Sequence, residues 1–368
     1  LVYPFREVVL LEPHMDPAVV SSRQRATGQP PSSLFQKMAR RLGIGVWRAD
    51  QQFEGYLFLI PSLIGFSIFV LAPIIISLVL SFHSWDLISV PQFIGTSNYL
   101  ELFTRDPVFG SVLRNTFWYA VLIVPVQLAI GFILAVALNA GLRGLRLYRM
   151  LYFMPVVASV VAAAMVFRFL FNQQNGVIAA GIWEIKGFLL GQGWVQSSPS
   201  LLNWVNSISP PDFLNAPGQG FWPGWALVSV AIFTIWKNVG FTLVIYLAAL
   251  QAVPESLYDA AMVDGANRWQ RLRYITIPLV SPTTFFLLVI QMLGAFQIFT
   301  EPFIMSANTQ GQLPVGSASI VTYIYQNAFT FRRMGKAAAI SWVLFVVVFV
   351  VTIIQTVLQR RWVYYETE

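Results

Sequence analysis

An all-α fold of six membrane-spanning helices is what the sequence predicts, on three observations. Hydrophobic residues make up 57% of the chain and charged residues 11%, against roughly 45–50% and about 25% in soluble domains. Six apolar stretches reach the length of about 20 residues that a helix needs to cross a hydrocarbon core of about 30 Å: Tyr56–Phe82, Thr116–Asn139, Met150–Phe171, Trp225–Leu250, Leu279–Thr300 and Ala337–Leu358. The connections between them alternate between rich and poor in Lys and Arg, as expected when bases are retained on the cytoplasmic side.

The chain is expected to divide into a cytoplasmic, partly disordered tail (1–54), a six-span domain (55–358) and a short cytoplasmic C-terminal tail (359–368). The tail contains Pro30, Pro31 and scattered Ser ahead of Phe35–Val46, where Lys37, Arg40 and Arg41 lie beside Phe35, Met38 and Leu42. That segment reads as a basic amphipathic helix at the inner interface. The first apolar run follows about fifty polar residues and is too long for the core of a cleavable signal. Arg143, Arg146 and Arg149 then mark the second-to-third connection as inward, with Arg268, Arg271 and Arg273 marking the fourth-to-fifth and Arg360 and Arg361 the end. Both termini are thus expected to be cytoplasmic. Arg332, Arg333 and Lys336 fall on the opposite side; their charge suggests the mouth of a pathway and leans toward an anionic solute. Gly176–Leu190 is apolar but short and interrupted by Glu184 and Lys186. It is expected to lie on the outer membrane surface, within a long connection over 172–224. The net charge of +7 is accounted for by inward bases beside anionic lipid, so no nucleic-acid partner is expected.

Leu257–Leu279 is a polar island between the fourth and fifth spans. Ser256–Asp264 reads as a helix whose Ala260 and Ala261 leave one side shallow enough for another protein. Gly265 allows a sharp turn, Trp269, Leu272 and Ile275 then recur at helical spacing, and Pro278 is expected to end the element. The series Asp259-Ala260-Ala261, Gly265 and Ile275-Thr276-Ile277-Pro278 resembles the EAA loop of ABC importer permeases. Asp259 stands where that family has Glu, and Ile277 where it commonly has Leu. Trp236-Lys237-Asn238-Val239-Gly240-Phe241 and Leu247-Ala248-Ala249-Leu250-Gln251 resemble its carbohydrate-uptake branch, and the likeness runs from about Tyr56 to about Gln355.

The resemblance implies a transport subunit that docks an ATPase through Tyr258, Asp259, Ala260, Ala261, Asp264, Gly265, Arg268 and Pro278. It also implies a second permease, two ATPase subunits that bind ATP and Mg, and an extracytoplasmic solute-binding protein in a bacterial or archaeal inner membrane. The residues agree on energy supply: no phosphate loop is present, since Gly335-Lys336 is followed by Ala337. Span interiors carry almost no acids or His, which disfavours proton coupling. Lys237 is the exception. It either meets a solute in a wet pathway, snorkels outward or pairs with a backbone carbonyl, and the residues alone leave these open. Asn238, Gln291 and Gln297 are further pathway candidates, although amides in spans also glue helices together, as Gln127 could. Phe233, Trp236 and Phe296 would suit stacking on sugar rings. Asp106, Asp212 and Glu301 make no convincing carboxylate pair for glycosyl chemistry, and with zero Cys and two His no metal set is evident. A membrane-embedded enzyme acting on lipid-linked sugars is the alternative; it calls for a cluster of acids or His at one face.

Overall fold

The computed structural model describes residues 58–140, 144–218, 222–306 and 314–364. The expected N-terminal tail, its amphipathic helix Phe35–Val46, Arg143 and the last four residues lie outside them. Contacts divide the chain into two units, 1–74 and 75–368. Helix α1 (Phe58–Ser81) passes from one to the other, with a π-turn at Ser67–Leu71. Its exposed Leu63, Ile68, Phe69 and Ile75 form the kind of apolar surface that lipid covers. A two-stranded hairpin follows, β1 (His83–Ser84) antiparallel to β2 (Gln92–Phe93), then the short helix α2 (Ser97–Thr104).

The second predicted span is longer than the sequence suggested. Helix α3 covers Pro107–Asn139, 33 residues and thus about 50 Å, well beyond a hydrocarbon core of about 30 Å. Its start is set by Asp106, whose Oδ1 accepts from the N–H groups of Val108 and Phe109 at 3.0 and 3.1 Å, with Pro107 in the first turn where its missing N–H costs nothing. Arg105 and Arg114, read as bases of the preceding connection, kept this first stretch from reading as part of an apolar span.

The third predicted span is not one straight helix. Helices α4 (Leu145–Val157) and α5 (Val160–Leu170) meet at a bend of 92°. Ala158 and Ser159 are extended, and Pro155 in the last turn of α4 has no N–H to give. The carbonyls exposed at this break need donors, and Lys237 supplies them from 79 to 82 residues away.

The long connection 172–224 folds into α6 (Val177–Leu190), α7 (Gly193–Gln196) and α8 (Pro199–Ser207). At 14 residues α6 measures about 21 Å and is too short to span. Lys186 fastens it to the end of α8, its Nζ donating to the carbonyls of Asn206 and Ile208 at 2.8 and 2.9 Å.

Helix α9 (Trp225–Ala252) is the best-buried span. Leu227, Val230, Phe233, Leu243 and Tyr246 on it are almost wholly excluded from solvent. Small residues let its neighbours approach closely: a Cβ on Gly131 of α3 would meet the Thr242 side chain, and one on Gly240 would meet the Tyr152 carbonyl of α4. Two helices form the polar island, α10 (Glu255–Val263) and the start of α11 (Arg268–Phe296). Beyond come α12 (Thr300–Ser306), α13 (Ile320–Tyr325) and α14 (Met334–Gln359). Helix α13, for which the sequence offered no element, opens on a capping box between Ser319 and Thr322. Asn115, Thr116 and Tyr119 of α3 lock its approach by bonding to Val315, Ala318, Ser317 and Ile320 at 2.7–3.2 Å.

The basic cluster before the last span is corrected as well. Lys336 is buried, and its Nζ lies 2.8 Å from both Glu101 and Asp106; Arg333 reaches Glu101 at 3.9 Å. Tyr323 donates to Asp106 at 2.6 Å. The Lys336 charge is satisfied internally rather than lining a mouth, because acids from the α2–α3 corner, more than 200 residues earlier, fold against it; Arg332 and Arg333 stay exposed. The lean toward an anionic solute loses the Lys336 part of its basis.

Candidate functional site

Two sites emerge, joined by α11. The first is the corner between α10 and α11. Its turn is a Schellman motif: Ala266 N–H donates to Ala261 O at 2.9 Å and Gly265 N–H to Met262 O at 3.1 Å, which requires the left-handed conformation that Gly265 adopts at φ +79°. A capping box opens the next helix. Asn267 Oδ1 accepts from Gln270 N–H at 2.9 Å, and Gln270 Oε1 accepts from Asn267 N–H at 2.8 Å. Together the two motifs fix a rigid knob. Asp259, Ala260, Asp264 and Arg268 are exposed on it and Ala261 is half-buried.

Tyr258 plays another part, since its hydroxyl is 3.0 Å from Thr276 Oγ1 and holds α10 to α11. Sequence reasoning passed over Met262 and Val263, the latter 88% exposed, which with Trp269 give the knob an apolar tip. Bare apolar side chains beside a helix C-cap were the signal. Asn267 and Gln270 were legible too, through their Asn-x-x-Gln spacing. Behind the knob lies a cavity of about 650 Å³ reaching Asn139, Leu250, Arg271 and Thr276.

Pro278 does not end the element. Helix α11 runs unbroken for 29 residues, because the π-turn Leu272–Thr276 shifts the hydrogen-bond pattern ahead of the proline and absorbs its missing donor.

The second site is a cavity of about 340 Å³ between α3, α9 and the far end of α11, lined by Gln127, Asn238, Gln291, Gln297, Thr300 and Glu301 among apolar neighbours. Thr242 ties its walls: Gln127 Nε2 and Gln291 Nε2 both approach its Oγ1, at 3.1 and 2.9 Å. The amides thus glue three spans and face the cavity as well.

The other pathway candidates sit elsewhere. Lys237 does not line the cavity; its Nζ donates to the carbonyls of Pro155, Val156 and Ala158 at 3.1, 3.3 and 2.9 Å, placing a positive charge at the negative end of α4. Phe233 and Phe296 are core residues, filled into packing that leaves no face for a ring to stack on. Trp236 is partly exposed on the outside of α9, 4.9 Å from the Phe167 ring. No cluster of three metal-ligating side chains occurs among the described residues.

Residues 127–364 match the family model described as binding-protein-dependent transport system inner membrane component. A probable ABC transporter permease of Bacillus subtilis, YesP, is 35% identical over 85% of this chain and 93% of its own length. The arabinooligosaccharides transport permease AraP of Halalkalibacterium halodurans is 32% identical over 83% and 87%. The lactose transport permease LacF of Rhizobium radiobacter is 32% identical over 82% and 92%. In fold, the chain is similar to a bacterial alginate ABC transporter crystallised with its alginate-bound periplasmic protein, at a TM-score of 0.66 and 24% identity over 85% of this chain and 96% of that one.

Proposed function

The chain belongs to the family of binding-protein-dependent transport system inner membrane components, and on that premise we propose that it forms, with a second permease, the pathway of an ATP-driven importer for a sugar or a related polyol or glycoside. It is a multi-pass membrane transport subunit, not an enzyme. None of the relatives above is named as acting on lipid-linked sugars, and that reading has no support. The sugar class rests on the names of relatives that carry arabinooligosaccharides and lactose. The distribution of bases supports cytoplasmic termini and a cytoplasmic knob.

In this reading two partner ATPases, holding ATP and Mg, grip the Asp259–Arg268 corner of each permease, and an extracytoplasmic binding protein delivers the solute. Ala260 and Ala261 permit close seating, Gly265 sets the bend, and Asp259, Asp264 and Arg268 offer polar contacts. One observation carries the mechanism: α11 is a single helix with the knob at its start and Gln291 and Gln297 near its end. A pull on the corner travels along a rod of about 44 Å to the cavity, so closure of the ATPases rocks the cavity outward and hydrolysis returns it.

Gly265→Trp tests this. Space exists around Gly265, so the substitution acts through the left-handed backbone it must hold and the bulk it adds to the knob. Uptake of the transported sugar is expected to be abolished while membrane insertion stays normal. Normal uptake by a correctly inserted variant refutes the docking role.

A further inference from the structure

Behind the knob, the ends of α3 and α9 and the start of α11 line a cavity of about 650 Å³. Asp259, Ala260, Ala261 and Gly265, which seat the ATPase in the reading above, are not among its walls. Its more buried lining is apolar, with Val136 of α3, Leu250 of α9 and Leu272 of α11; Trp269 and Arg268 line it from exposed positions and Arg271 from a half-buried one. No acid lines it. The ion pairs among the described residues all belong to Glu101 or Asp106, so Arg268 and Arg271 carry unpaired charges, and Arg271 Nε is buried with no acceptor. Three residues apart, the two guanidinium groups share one helix face, where like charges repel unless an anion comes between them.

Resting on the importer reading above, which sets the knob at the cytoplasmic surface, we propose that this cavity holds the head of an anionic phospholipid from the inner leaflet. Arg268 and Arg271 take the phosphate, whose oxygens suit the planar fork of a guanidinium. Val136, Leu250 and Leu272 cover the glycerol and the first part of an acyl chain. Trp269 then stands at headgroup level, where its amphipathic ring is favoured. Basic pockets between spanning helices on the cytoplasmic side are suited to such headgroups. A free phosphate would satisfy the two arginines and leave the apolar wall uncovered, so the lining favours a lipid. The volume lies within the range of about 300–1,000 Å³ for small-ligand pockets. A lipid seated here braces the knob against α3 and α9 and makes ATPase coupling depend on the charge of the membrane.

The test uses the full importer with its co-purifying ATPases, in nanodiscs of phosphatidylcholine alone or mixed with phosphatidylglycerol. ATP hydrolysis is measured at equal ionic strength, and native mass spectrometry reads the phosphatidylglycerol that the complex retains. Hydrolysis by the wild type is expected to be several-fold faster with phosphatidylglycerol. Arg271→Gln should lose most of that gain and the retained lipid, and Arg271→Lys, which keeps the charge without the fork, should recover part of both. Val136→Trp fills the cavity while keeping both arginines and should also lose both; tryptophan-fluorescence Tm checks that each variant is folded. Equal hydrolysis by the wild type in the two discs, a gain undiminished in folded Arg271→Gln or Val136→Trp, or the same gain from inorganic phosphate in phosphatidylcholine discs overturns the proposal. A chain recovered without ATPases removes the importer reading, while its retention of phosphatidylglycerol, lost in Arg271→Gln, still decides the cavity.

Discussion

Replacing Lys237 by Met separates a structural cation from a solute-binding one. Its ammonium makes three bonds of 2.9–3.3 Å to the carbonyls of Pro155, Val156 and Ala158. Hydrogen bonds to a charged group contribute about 1.5–3 kcal/mol each, and placing a Lys deep in a spanning helix costs about 2.5–3.5 kcal/mol. Even at the low end of the first range the three bonds exceed the cost, so the charge is a net stabiliser. Met keeps the unbranched apolar stem, one atom shorter, and removes the donor. The three carbonyls are then left at a break in a spanning segment, where water is not at hand to replace the lost partner. The loss is expected to be about 2–4 kcal/mol, discounted for the modest worth of polar contacts measured within membranes. At roughly 2–4 °C per kcal/mol, the scale for domains of about 150–250 residues, Tm by intrinsic tryptophan fluorescence in detergent should fall by about 4–16 °C. Lys237→Arg should recover most of it. A Lys237→Met protein within about 1 °C of wild type, with uptake impaired through a raised KM, would refute the capping account and return Lys237 to the solute pathway.

Two further predictions follow from packing and charge. Gly240→Ala drives a Cβ into the Tyr152 carbonyl and should destabilise the α4–α9 contact by about 1–3 kcal/mol; an unchanged Tm would show that α4 can retreat freely. Lys336→Met strands Glu101 and Asp106 and should cost about 3–5 kcal/mol, read as a large fall in Tm at neutral pH. Burial opposes ionisation of Asp106, but hydrogen bonds from Lys336, Tyr323 and Phe109 N–H hold it below its ordinary 3.8. The stability this contributes is present above pH 3.8 and is lost as pH falls through the depressed value. The wild type should therefore lose Tm on acidification below that point, and Lys336→Met should lose less over the same range; equal acid sensitivity would dissociate Asp106 from the pair.

What could be read from the sequence depended on how far apart the cooperating residues lie. Composition and run length were enough for α1, α9 and α14, and local spacing was enough for the α10 corner, where Gly265, Asn267 and Gln270 act within six residues. The bend between α4 and α5 was not legible, because a proline such as Pro155 can sit inside a spanning helix without breaking it. Pro125 and Pro282 lie inside α3 and α11 with no break there. What lets the chain turn at Ala158 and Ser159 is a donor on another helix. The reading of Lys336 as part of a charged mouth failed for the same reason, since the acids that neutralise it precede it by more than 200 residues.

The same distance argument bears on function. Lys237 and Asn238 are adjacent in sequence yet work on different faces of α9, about 100° apart: one is fixed to the α4 break, and the other lines the cavity. Thr242, one turn further, receives Gln127 from α3 and Gln291 from α11. Helix α9 is thus held through polar contacts to both α3 and α11 beside the cavity, while its apolar face forms the core. Helix α11 differs in having the knob at its other end, where Tyr258 bonds to Thr276 within the π-turn. A displacement of the knob can therefore be absorbed at the π-turn or passed on to Gln291. Because Gln291 is both a bond to Thr242 and a wall of the cavity, a shift that breaks the first must reshape the second. The knob and the cavity thus share one helix, and the cavity's two amides share one hydroxyl.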